Sequence, residues 1–248
     1  MISMRNIKLL IEYDGTFYNG WQVQPNGLTI QEVIQKKIEV MTQGRVILIG
    51  SGRTDARVHA LGQVANFTTS SRVPVEGFRN GLNSLLPSDI VIKDAREAEE
   101  EFHSQFWAKK KTYSYCILNR PVPSAIWRNY SWHLPGPLDV PAMQNAAQCL
   151  LGPHDFSSFQ GAHPDSKDSE REVFRAAWTV KEKDFLCFTI EADGFLKYMV
   201  RNIVGTLVEV GKGNISPERF KEILGLRDRT EAGMTAPPQG LFLLEVQF

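Results

Sequence analysis

The sequence predicts an α+β fold of two halves with mainly antiparallel sheets. Three observations predict it. Stretches with two-residue alternation follow one another across short turns, stretches with helical spacing fall between them, and the composition shifts sharply near residue 104. That shift runs from the acidic stretch Glu97 to Glu101, interrupted only by Ala98, to Lys109, Lys110 and Lys111. It divides the chain into an N-terminal domain, 1–104, carrying the GRTD loop, and a C-terminal domain, 105–248.

In the first half, Ile7, Leu9, Ile11 and Tyr13 alternate with more polar neighbours up to the turn pair Asp14-Gly15, the pattern of a strand. After Pro25-Asn26-Gly27, Thr29 and Glu32 stand at capping-box spacing, and Ile30, Val33, Ile34, Ile38 and Met41 share a helical face. Val46 to Ile49 predicts a short strand leading into GSGRTDARVHALGQ, and Val64 to Phe67 a second, so GRTD lies on a loop between strands. Pro74 to Leu86 suits a helix stopped by Pro87, and Ile90 to Lys93 a strand.

The second half opens with a strand at Thr112 to Asn119. Asp139 caps a helix whose Met143, Ala146, Ala147, Leu150 and Leu151 share a face before Gly152. Arg175 to Lys181 and Phe185 to Ala192 flank the turn Glu182 to Asp184, which predicts a hairpin. A long apolar helix is expected from Phe195 to Val210, a short one after Ser216-Pro217, and a last strand from Leu241 to Phe248.

The 28 basic and 28 acidic residues cancel, which speaks against non-specific coating of nucleic acid while leaving room for a local basic cleft. Three cysteines, Cys116, Cys149 and Cys187, without C-x-x-C spacing, make a disulfide framework or a four-cysteine zinc site improbable. A reducing cytoplasm fits this cysteine usage. There is no membrane-length apolar run and no signal-peptide pattern. The histidines His59, His103, His133, His154 and His163 show no metal-binding spacing, and the phosphate-loop, G-x-S-x-G and G-x-G-x-x-G motifs are missing.

What remains are three clusters. In Gly52 to Asp55 an aspartate in a turn can simply bond its own backbone; the crowding of Arg53, Asp55, Arg57 and His59 in one loop also fits a nucleophile or an ion pair, since a carboxylate among cations stays ionised. In KKKTYSYCI, Tyr113 and Tyr115 share a strand face with Ile117, as core tyrosines or as a ring that stacks on a nucleobase beside lysines. In GFLKYMVRNIVGTLVEVG, Arg201 interrupts an apolar helix and calls for a carboxylate, either a surface acid or Asp55.

Together the motifs EYDGTFYNGWQVQPNGLTIQE, GRTDARVHALGQVANF, FHSQFWAKKKTYSY, GPHDFSSF, FLKYMVRNIVGTLVEVGKG and TAPPQGLFL, in this order, resemble the TruA family of tRNA pseudouridine synthases from about Ile7 to Phe248. The resemblance implies a pseudouridine synthase fold with the two α/β halves joined side by side. It implies isomerisation of uridine to pseudouridine in the anticodon stem-loop of tRNA, at positions 38 to 40, by a homodimer without metal or organic cofactor. It places the catalytic carboxylate at Asp55, the base-contacting ring at Tyr113, the carboxylate's cation at Arg201 and an RNA contact at Arg53. Arg57 and His59 join the substrate-binding set through their crowding in the same loop.

The chain departs from the family pattern at Arg57, where a glycine is usual, so that a positive φ there would strain the backbone. Gln105 and Trp107 replace an arginine and a small residue, and Tyr198 stands where a histidine is common. A catalytically impaired tRNA-binding protein of the same fold is the alternative from another class. An enzyme acting on a small carboxylate through Arg53, Arg57 and Arg201 is a third reading.

Overall fold

The computed structural model of the chain describes residues 4–162, 168–182 and 184–248. Two compact units form, Met1–Lys109 with Phe242–Phe248, and Lys110–Leu241.

In the first unit β1 (Arg5–Tyr13) lies between β3 (His59–Thr69) and β4 (Ile90–Ala98), antiparallel to both. The short β2 (Ile49–Gly50) pairs with Asn66 and Ala65 of β3, and β10 (Leu241–Gln247) adds in parallel, Phe242 opposite His59. Alternation does here what it predicts, since Ile7, Leu9 and Ile11 are fully buried. Helix α1 (Ile30–Thr42) starts where Thr29 accepts the Glu32 amide and buries Ile30, Ile34 and Ile38; α2 (Val75–Leu85) buries Phe78 and Leu82.

The strand expected at Val46 to Ile49 is only Ile49–Gly50. The reason lies in α1, whose side chains take up the preceding backbone. Glu39 accepts the Val46 amide, Gln35 accepts the Leu48 amide, and the Gln31 amide group donates to the Leu48 carbonyl at 2.7 Å. Backbone groups satisfied in this way do not enter a ladder.

In the second unit β5 (Lys110–Asn119), β9 (Phe185–Ala192), β8 (Glu170–Glu182) and β7 (Gly152–Asp155) form an antiparallel series, with β6 (Trp132–Leu134) parallel to β5. The expected hairpin is β8–β9; Lys183 of its turn, like His163, lies outside the described residues. Helix α3 (Val140–Gln148) is capped by Asp139, and α5 (Pro217–Leu226) by Ser216 with proline at its first position.

Helix α4 (Met199–Gly211) begins later than the expected Phe195 because Tyr198 sits at φ 62°, a left-handed conformation that a right-handed helix does not admit. Gly194 to Lys197 therefore approach the helix as a loop.

Candidate active site

The GRTD loop joins β2 to β3 and is tied along its length. The Ser51 amide donates to the Val64 carbonyl, its hydroxyl to Gln63 Oε1 at 2.6 Å, and the Gln63 amide group returns to the Gly52 carbonyl at 2.9 Å. Thr54 is held twice: its hydroxyl shares a 2.7 Å hydrogen bond with Tyr13, and its carbonyl accepts the Trp21 amide at 3.1 Å. Burial holds the Tyr13 hydroxyl in its protonated form, with its pKa pushed up.

Asp55 follows this anchored residue and is half-buried. Its carbonyl accepts the Val58 amide at 3.1 Å, closing a turn over Ala56 and Arg57. Arg57 has φ 66°, whereas Ala56 is not left-handed, the pattern of a type II turn whose third position favours glycine. A side chain there costs about 1–2 kcal/mol. Arg53 and Arg57 are exposed.

His59 begins β3 and is 2% exposed, its ring stacked on Phe242 at 4.7 Å. Its Nδ1 lies 3.1 Å from both the Gly15 amide nitrogen and Asp14 Oδ1. One atom does not serve both at once: a bare Nδ1 accepts from the amide, and a protonated one donates to the carboxylate. Either way His59 braces the turn Gly15–Phe17 against the loop.

In the second unit Tyr113 and Tyr115 of β5 are buried on the face they share with Ile117. The Tyr113 ring meets Phe195 edge to face at 5.0 Å. The Tyr115 hydroxyl donates to the Pro237 carbonyl at 2.7 Å, and burial pushes its pKa well up. Of the neighbouring lysines, Lys109 is exposed, but Lys110 and Lys111 are not simply solvated. Lys110 lies over Phe174 and 3.4 Å from Glu191, and burial, with the Arg171 charge adding to it, lowers the Lys111 pKa to about 8.

Arg201 occupies the first turn of α4, half-buried, with its guanidinium 4.9 Å from the Tyr198 ring. Its Nε donates to the Ala236 carbonyl at 2.8 Å, and the Ala236 amide donates back to the Arg201 carbonyl. The segment Gly233–Pro237 thus runs across α4. Gly205 permits the crossing, for a Cβ there would sit 1.7 Å from the Met234 carbonyl oxygen. Buried Asn202 secures it, donating to the Phe159 carbonyl at 2.7 Å and accepting from Thr235 at 2.7 Å and Arg229 at 3.1 Å.

Sequence reasoning missed Asn202, Gly205 and Thr206, whose hydroxyl oxygen accepts the Gly233 amide at 2.9 Å, as a set. The available signal was three small or polar residues at i, i+3 and i+4 within an otherwise apolar helix. The structure brings Arg53, Asp55, Arg57 and His59 together in the first unit; Tyr113 and Arg201 belong to the second.

Comparisons with known proteins agree with one another. The family described as tRNA pseudouridine synthase matches residues 9–106 and 146–248. "tRNA pseudouridine synthase A" of Thermoanaerobacter sp. is 48% identical over 243 residues, 98% of this chain and 99% of that protein. The proteins of the same name from Acetivibrio thermocellus and Caldicellulosiruptor bescii are 47% and 48% identical, each over 245 residues, 99% of this chain and 100% of theirs.

Proposed function

The chain belongs to the tRNA pseudouridine synthase family, and from that membership we propose that it converts uridine to pseudouridine in the anticodon stem-loop of tRNA, at positions 38 to 40, with Asp55 as the catalytic residue. One observation carries this reading: Asp55 is a half-buried carboxylate on a loop whose backbone is fixed on both sides of it. Preorganised placement of a charged group is what a reaction at a defined carbon needs.

The reaction breaks the glycosidic bond at nitrogen 1 and forms one at carbon 5, so the uracil is extruded from its stack, retained and turned. A carboxylate serves this by adding to carbon 6 of the ring or by acting on the sugar while the base is released and returned. Both routes use the ionised form, and Arg201 is proposed as the cation that favours it. Tyr113 is proposed as the aromatic surface for the extruded base, Arg53 and Arg57 as RNA contacts, and His59 as the residue that holds the loop for substrate. The product is an isomer, so the stoichiometry calls for neither electron donor nor cofactor. A homodimer and a cytoplasmic setting belong to the same reading and rest on the family resemblance.

The test is tRNA carrying tritium on carbon 5 of uridine, since isomerisation must release that label. We expect release by the wild type and a loss of about 1,000-fold or more for Asp55→Asn, which keeps the shape and removes the charge. An Asp55→Asn variant turning over at the wild-type rate would overturn the assignment. A wild type that binds tRNA and releases no label would favour the impaired tRNA-binding protein instead.

A further inference from the structure

Four described residues other than glycine have a left-handed backbone: Gln43, Arg57, Tyr198 and Arg227. Three have an evident structural reason. Gln43 and Arg227 close α1 and α5, where left-handed residues commonly end helices, and Tyr198 precedes α4 with its ring against Arg201. Arg57 closes no helix, and among the described residues no ion pair or hydrogen bond holds its guanidinium. Its turn would accept glycine without strain. The strain that its side chain brings has no return within the chain, which directs the search outside it.

A second exposed group stands on the adjoining turn. Phe17 is 80% exposed, at the end of Gly15–Phe17. That turn is fixed to Arg57's own turn. The Arg57 amide donates to the Tyr18 carbonyl at 3.2 Å, and a Cβ on Gly15 would sit 2.0 Å from the Val58 carbonyl oxygen. A single exposed phenylalanine needs no explanation. An exposed ring on one turn and an exposed, strained arginine on the turn bonded to it, at the Asp55 loop, is the combination that binds unpaired nucleotides: a π-face for the base and a cation for the phosphate.

We propose that Phe17 and Arg57 form an additional substrate contact, the ring stacking on an unpaired base of the tRNA loop and the guanidinium meeting a neighbouring phosphate. The contact rests on the function proposed above and deepens it. Extruding one nucleotide leaves its neighbours unstacked, and a rigid ring beside the loop offers one of them a replacement partner.

The experiment measures tRNA affinity across a salt series for the full-length protein, together with thermal stability and tritium release. Arg57→Gly and Arg57→Ala should both lower the slope of log affinity against log salt by about one, and Arg57→Lys should keep most of it. Only Arg57→Gly should raise the Tm, by about 1–3 °C, because only it relieves the turn. Phe17→Leu should weaken binding about 5- to 150-fold at every salt concentration with an unchanged slope, and Phe17→Tyr should restore it.

Wild-type affinity and slope in the Arg57 and Phe17 variants, with the wild type releasing label normally, would overturn this contact and Arg57's RNA-binding role while leaving the proposed isomerisation at Asp55 standing. A change of oligomeric mass in Phe17→Leu with tRNA affinity intact would overturn it too, assigning the ring to a protein interface. A wild type that neither binds tRNA nor releases label would overturn both.

Discussion

Lys111 shows how one residue makes stability depend on pH. Its ammonium is lowered to about 8 by burial, with a repulsive contribution from Arg171, against an ordinary value of 10.5. Below pH 8 it is charged in both folded and unfolded chains, and the folded state bears the desolvation. Between pH 8 and about 10 the folded chain sheds the proton first, so the unfolded state binds more protons and this residue's contribution to stability rises with pH. The stability difference between Lys111→Met and wild type, measured by urea unfolding, should therefore narrow as the pH is raised through that window. On the same strand, Tyr115→Phe removes the hydroxyl that donates to Pro237 and should cost about 1 kcal/mol in the same assay.

The elements around the Asp55 loop depend on close approaches that only small residues allow. Gly20 has φ 84°, and a Cβ there would sit 2.5 Å from the Thr54 carbonyl oxygen, on the residue just before Asp55. Gly20→Ala combines backbone strain with overpacking and should destabilise by about 2–4 kcal/mol, with label release reduced even where the protein stays folded. The elements themselves were legible where their signals are local. The Thr29 cap, the Asp139 cap, the Ser216-Pro217 start and the alternation of Ile7, Leu9 and Ile11 act within a few residues, and each stands where its pattern put it. Val46 to Leu48 failed as a strand because its polar groups are taken up by side chains of α1, a competition that no window of the segment displays. The α4 start failed because Tyr198, an ordinary helix residue by composition, is left-handed here.

Across the whole molecule the chain's last residues stabilise its first unit. β10 pairs with β3 at the point where His59 leaves the Asp55 loop, and Phe242 stacks on the His59 ring. Removing Phe242–Phe248 should expose the β3 edge and make the Met1–Lys109 segment the first to be cut in limited proteolysis, although the truncation lies far along the chain. Equal protection of that segment in truncated and full-length protein would count against the strand's role.

Sequence alone determined the alternation and capping that set most strands and helices, the run of motifs that carries family membership, and the identity of Asp55, Arg57 and their neighbours as a loop cluster. Those are properties of residue type and short spacing. Tertiary structure decided where the final strand joins, which backbone groups the α1 side chains claim, that Gly233–Pro237 crosses α4 at Gly205, and that Arg57 has a positive φ. Each of these depends on a partner brought close only by folding, and a hydrogen bond or a forbidden Cβ position has no address in the sequence until that partner arrives.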